Sequence, residues 1–145
     1  MCAAYLLLVL AVNAAWFGMG FVFFSLRPHL ALRLLIPRAA HGETSARALA
    51  ASLPFLGGLN LALAVLSATY LGACLWTHQA PQSWHIFLAS AVAHATQWGW
   101  NLPQLRRGGR SGGAPWDVLR GLMLRIFVTD GVCALLNALA AALSF

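Results

Sequence analysis

The stretch 89–101 reads ASAVAHATQWGWN, an apolar run that carries a histidine, a glutamine and an asparagine. Ser90, His94, Gln97 and Asn101 recur at steps of four, three and four, which places them on one face of a helix. An imidazole on such a face can carry a proton, bind a ligand or bond to a neighbouring helix. Near the C-terminus, Asp130, Cys133, Ala134, Asn137 and Ala141 repeat the pattern, and Asn13 and Asn60 lie inside two further apolar runs. Depth arithmetic pairs two of these groups. At 1.5 Å per residue Asp130 lies about 15 Å beyond Arg120, and His94 about 13 Å short of Pro103. If the two helices are antiparallel neighbours, His94 and Asp130 meet in a hydrogen bond or ion pair. Asn60 and Asn13 would then lie nearby as further donors, with Arg125 the competing partner for the carboxylate. A pair of this kind has two readings: a proton-linked or ligand-binding site, or a bond between helices worth about 0.6 kcal/mol. His94, Asp130, Asn60, Asn13 and Gln97 are accordingly the candidate ligand or proton-linked residues.

The elements that must position these groups follow from composition. The chain is 61% hydrophobic and 8% charged, against roughly 45–50% and about 25% in soluble domains. So short a chain could not hide that much apolar surface from water, so lipid is its natural solvent. Four segments suffice to cross a bilayer, at about 3–26, 49–76, 84–101 and 118–145. The expected fold is therefore all-α, a single transmembrane domain built as an antiparallel four-helix bundle. The third span is the most polar and needs shielding by its neighbours. Ser83 is an expected cap for it, and Thr44 or Ser45 for the second.

Charge sets the orientation. The net charge is +6, and all nine basic residues are arginines in two blocks, 27–47 and 106–125. Both blocks fall on one side of a four-span chain, which the positive-inside rule makes cytoplasmic, with both termini outside. Trp76 and Trp84 then flank the outer turn, and Trp98, Trp100 and Trp116 the inner face. Arginine without lysine is a pattern of GC-rich bacterial genomes, so a bacterial inner membrane is the expected location. The opening MCAAYLLL has no basic segment ahead of the apolar run, so no cleaved signal peptide is expected. LRPHLALRLLIP and PWDVLRGLMLR both read as short interfacial helices on the cytoplasmic side. Arg27, Arg33, Arg38, Arg106, Arg107 and Arg110 would contact anionic lipid there, plain stop-transfer charge being the alternative. Basic residues so placed do not form a nucleic-acid face.

Several chemistries find no support. The chain has no H-E-x-x-H, C-x-x-C or G-x-S-x-G. Its carboxylates Asp117 and Asp130 stand at different depths, so no enzyme, no metal and no cofactor are expected. His85 falls on the far face from His94, and His29, His41 and His78 fall in connectors, which argues against a two-histidine haem and leaves single ligation by His94 open. Cys2 and Cys74 both fall near the outer face, where a disulfide is one option and small apolar packing the other.

SARALAASLPFLGGLNLALAVLSA and SAVAHATQWGW resemble the second and third spans of small four-span scaffold proteins of sterol biosynthesis, and the order of segments also resembles uncharacterised four-span bacterial membrane proteins. The first resemblance implies a tether for other membrane proteins rather than a catalyst. RRGGRSGGAPWDVLRG does not fit it. The expected function is thus a non-enzymatic accessory or scaffold protein packing against membrane proteins, lipids or pigments. The broad aromatic flank of Trp16, Phe17, Phe21, Phe23 and Phe24 would serve a partner helix, a pigment or lipid. The alternative is a small transporter or ligand-binding module, in either case with a membrane-protein partner or as a homo-oligomer.

Overall fold

In the computed structural model, residues 2–35, 44–107 and 116–145 are described. They are helical almost throughout: α1 (Cys2–Phe21) runs into a π-helical turn (Val22–Leu26), followed by α2 (Pro28–Leu35), α3 (Thr44–Thr77), α4 (Trp84–Arg106) and α5 (Gly121–Leu143). Three of the helical segments are long and apolar enough to cross a membrane: Ala3–Leu26, Thr44–Thr77 and Gly121–Leu143. The fourth expected span, α4, has the length for a crossing at 23 residues, but its polar face takes it out of that set.

Packing is antiparallel and pairwise. α1 lies along α3, and α4 along α5, with a lesser contact of α1 on α5. Two apolar clusters hold the ends. At one end Leu6, Val9 and Leu10 of α1 meet Ile86, Phe87 and Ala140; at the other, Ala31 and Leu32 of α2 rest on Leu53. In lipid, burying a leucine gains little, so close approach and internal hydrogen bonds decide the arrangement. Close approach is visible at Gly57, where a Cβ would collide with both the hydroxyl and the backbone nitrogen of Ser25. At Gly20 a Cβ would stand 2.6 Å from Asn60 Oδ1.

Several boundaries differ from the sequence reading. α4 continues through Pro103 to Arg106, as α3 continues through Pro54, each proline removing one backbone donor without ending its helix. The last helix starts at Gly121 rather than 118, with Gly121 at φ +54. The second expected interfacial helix is therefore absent at 116–120, which is a turn. Asp117 Oδ1 accepts the Leu119 N–H (3.3 Å), and its Oδ2 pairs with Arg120 Nε (3.2 Å). α2 does form, with Arg33 exposed and Leu32 buried. Ser83 makes no side-chain cap. Instead Tyr70 Oη accepts the backbone N–H groups of Gln82 and Ser83, each at 2.8 Å, and so ties the short connection to α3.

Candidate functional site

Between the two apolar clusters lies a layer of buried polar side chains. His94 on α4 and Asp130 on α5 are both 0% exposed, and Nδ1 of the one is 3.1 Å from Oδ1 of the other. The same carboxylate oxygen accepts the indole N–H of Trp16 on α1, at 2.9 Å. Three helices thus converge on one oxygen atom. Phe17, also on α1 and fully buried, stacks on the His94 ring with centroids 4.6 Å apart and planes 17° from parallel. An ionised Asp130 can only accept, so in that state Nδ1–H of His94 is the donor across this contact. His94 Nε2 and Asp130 Oδ2 have no hydrogen-bond partner among the described residues.

About two turns away along α5, a second polar contact joins α1 to α5. Asn13 and Asn137 exchange reciprocal amide bonds at 2.7 and 2.8 Å, and the Asn137 amide also donates to Cys133 O. Both asparagines are buried. Asn13 thus belongs to the same layer but bonds Asn137 and makes no direct bond to His94 or Asp130.

The remaining candidates separate from this centre. Asn60 does not support the pair: its amide donates to Leu56 O on its own helix, at 2.9 Å, and its side chain packs under Gly20. Gln97 is half-buried, and its backbone carbonyl accepts the Asn101 amide. Asn101 Oδ1 in turn accepts Trp116 Nε1 at 2.9 Å, which ties the 116–120 turn to α4. Arg125 is exposed and takes no part in the Asp130 site. Arg27, Arg33, Arg106 and Arg107 are exposed, Arg27 just after the π turn, Arg33 in the last turn of α2 and the other two at the end of α4. Arg38 and Arg110 lie outside the described residues.

Trp16 and Phe17, read from sequence as part of an outward flank, turn inward and build the site. Their positions carried the signal, since 13, 16, 17 and 20 share one helical face and Asn13 marks it as internal. Phe23 and Phe24 likewise pack on the α2–α3 cluster. Cys74 and Cys133 are free, buried thiols, and the side chain of Cys2 lies outside the described residues. His94 Nε2 is the imidazole nitrogen not engaged with Asp130, and the Phe17 ring lies stacked against the fully buried imidazole. Among the described residues no group of three or more His, Cys, Asp or Glu gathers as a metal site. No known family, no characterised protein and no solved structure matches the chain.

Proposed function

We propose that this is a non-enzymatic integral membrane accessory or scaffold protein with four spans, seated in a bacterial inner membrane with both termini outside. α4 is the shielded span. Its polar side chains Ser90, His94 and Asn101 are buried, so a polar composition does not bar it from lipid. The observation that carries the scaffold reading is the outer face of α3. This helix packs on α1, the π turn and α2, and stands at the edge of the set. Its opposite side presents Phe55 (79% exposed), Leu59 (67%) and Trp76 (88%). A helix with one seam of Gly57, Asn60, Ala64 and Ser67 facing inward and a long apolar side facing out is suited to laying that side on another membrane protein.

A photo-crosslinking residue at Phe55 or Leu59, activated in native membranes, tests this. The expected result is a discrete adduct with one heterologous membrane protein. Adducts with lipid alone, or with a second copy, refute it. Topology is tested in a chain whose own cysteines are replaced by alanine. A membrane-impermeant maleimide should label Gln79→Cys from outside and Arg107→Cys after permeabilisation. Labelling of both from one side would remove α4 as a span.

A second reading, a proton-linked transporter or ligand-binding module, is favoured by the two unpartnered buried atoms His94 Nε2 and Asp130 Oδ2. Reconstituted vesicles would then show a flux that depends on pH and is lost in Asp130→Asn.

A further inference from the structure

The outward side of α3 is built as a furrow. Phe55, Gly58, Ala62, Val65, Thr69 and Gly72 follow one another at steps of three, four, three, four and three, and all are exposed. A mean step of about 3.5 residues is the spacing with which one helix lies along another in a left-handed pair. The line runs on the side away from Gly57, Asn60, Ala64 and Ser67, which are buried. A Cβ at Gly58 or Gly72 would meet nothing within 4 Å. Exposed Leu59 and Leu66 stand along one edge and Leu61 along the other. The Thr69 hydroxyl donates to Val65 O of its own helix, at 2.8 Å, which keeps the furrow apolar. Arg47, exposed and on the same helix, heads it. That residue stands about three turns below Gly58 and about 20° from it in azimuth, with Nη2 3.5 Å from Thr44 Oγ1.

We propose that this furrow seats one transmembrane helix of a different membrane protein, with an acidic side chain of that helix at the level of Arg47. The inference names the partner of the scaffold reading and rests on that reading. Charge selects the occupant. Residues 27–47 hold four arginines against one acid, Glu43, a net charge of +3 with histidine neutral, whichever arginine Glu43 meets. Two copies of this chain inserted the same way would set two such blocks side by side, where like charges repel, whereas a carboxylate there is attracted. Shape and depth favour a helix over lipid. Glycine weakens a helix relative to alanine, and what it offers in return is the close approach of another backbone, which fluid acyl chains do not use. Trp76, in the outer aromatic belt, and Arg47 are about 43 Å apart along the axis. The hydrocarbon takes about 30 Å of that and the inner headgroups about 6 Å. Arg47 therefore stands past the phosphates, where a helix that continues out of the membrane can meet it.

Photo-crosslinking in native membranes from a probe residue at Val65, with the adduct sequenced by mass spectrometry, tests it. The adduct should fall in a membrane span of a second protein whose cytoplasmic continuation carries Asp or Glu. Arg47→Glu should lower its yield at least about fivefold, and exchanging that acid for arginine in the partner should restore it. The eight arginines that remain keep the insertion unchanged. Gly58→Leu with Gly72→Leu should lower the yield at least about tenfold. Both side chains enter open space, so the fold of the chain itself is undisturbed. A yield indifferent to Arg47→Glu, a partner span without an acid, or adducts with lipid alone or a second copy overturn the inference. The two readings fail separately. A protein adduct from Phe55 that survives Arg47→Glu unchanged leaves the scaffold and removes its acidic partner, whereas lipid adducts alone at Phe55, Leu59 and Val65 remove both.

Discussion

α1 is joined to its neighbours by two different kinds of seam. Against α5 it uses polar atoms: Trp16 and Asn13 bond to Asp130 and Asn137 across the interface. Against α3 it uses the absence of atoms, with Gly20 under Asn60 and Gly57 against Ser25. Asn60 shows the contrast best. It has the same side chain as Asn13 and is equally internal, yet it bonds Leu56 O on its own helix and acts on α1 as shape. A polar residue inside a membrane helix therefore does not by itself imply a bond between helices. One seam depends on hydrogen-bond partners and the other on volume, and substitution should separate them.

The largest effect is expected at the volume seam. Gly57→Val puts carbon atoms where the Ser25 backbone lies, and such overpacking costs about 3 kcal/mol or more when the backbone must move. Reversible unfolding in bicelles would measure it, and a loss below about 1 kcal/mol would mean that α1 and α3 do not approach as described. Next comes the polar seam. Asp130→Leu strands His94 Nδ1 and Trp16 Nε1 together, and losing the shared acceptor should cost about 2 kcal/mol. Trp16→Phe removes a single bond and should cost only about 0.6 kcal/mol, the average for such bonds in membranes. If the two substitutions cost the same, the His94 contact contributes nothing. The smallest effect sharpens the first. Gly58 is next to Gly57, but a Cβ there meets nothing within 4 Å. Gly58→Ala should therefore raise stability by a few tenths up to about 1 kcal/mol through helix propensity. Equal responses at positions 57 and 58 would remove the distinction between the two faces.

How much of this could be read in the sequence depended on whether a signal was periodic or local. The inward faces were legible because small and polar residues recur at helical spacing: Gly57, Asn60, Ala64 and Ser67 are all buried. The juxtaposition of His94 with Asp130 was legible because helical rise converts residue counts into depth. Trp16 and Phe17 were misplaced because their bulk suggested lipid contact, although their spacing from Asn13 placed them inside. The non-helical turn at 116–120 was obscured by an apolar pattern that reads as helix, while the Asp117 side chain and the positive φ of Gly121 set the local backbone. The indole N–H of Trp16 on Asp130 leaves no trace in hydropathy at all.

The wide turn at Val22–Leu26 has a consequence for α1 as a whole. There the backbone bond runs from the Arg27 N–H to the Val22 carbonyl, across one residue more than in an α-helix. That extra residue shifts everything after Phe21 by about a quarter of a revolution, which lets one continuous rod address two sets of neighbours. Its first part turns Asn13, Trp16 and Phe17 to α4 and α5, and its tail turns Ser25 to the Pro54 carbonyl, at 3.1 Å. Removing a single residue between 22 and 26 would restore regular winding and swing the hydroxyl away from α3, while the bonds to Asp130 and Asn137 stayed in place. The length of this short piece of chain, more than the identity of its residues, keeps the two halves of the rod in phase with their separate partners.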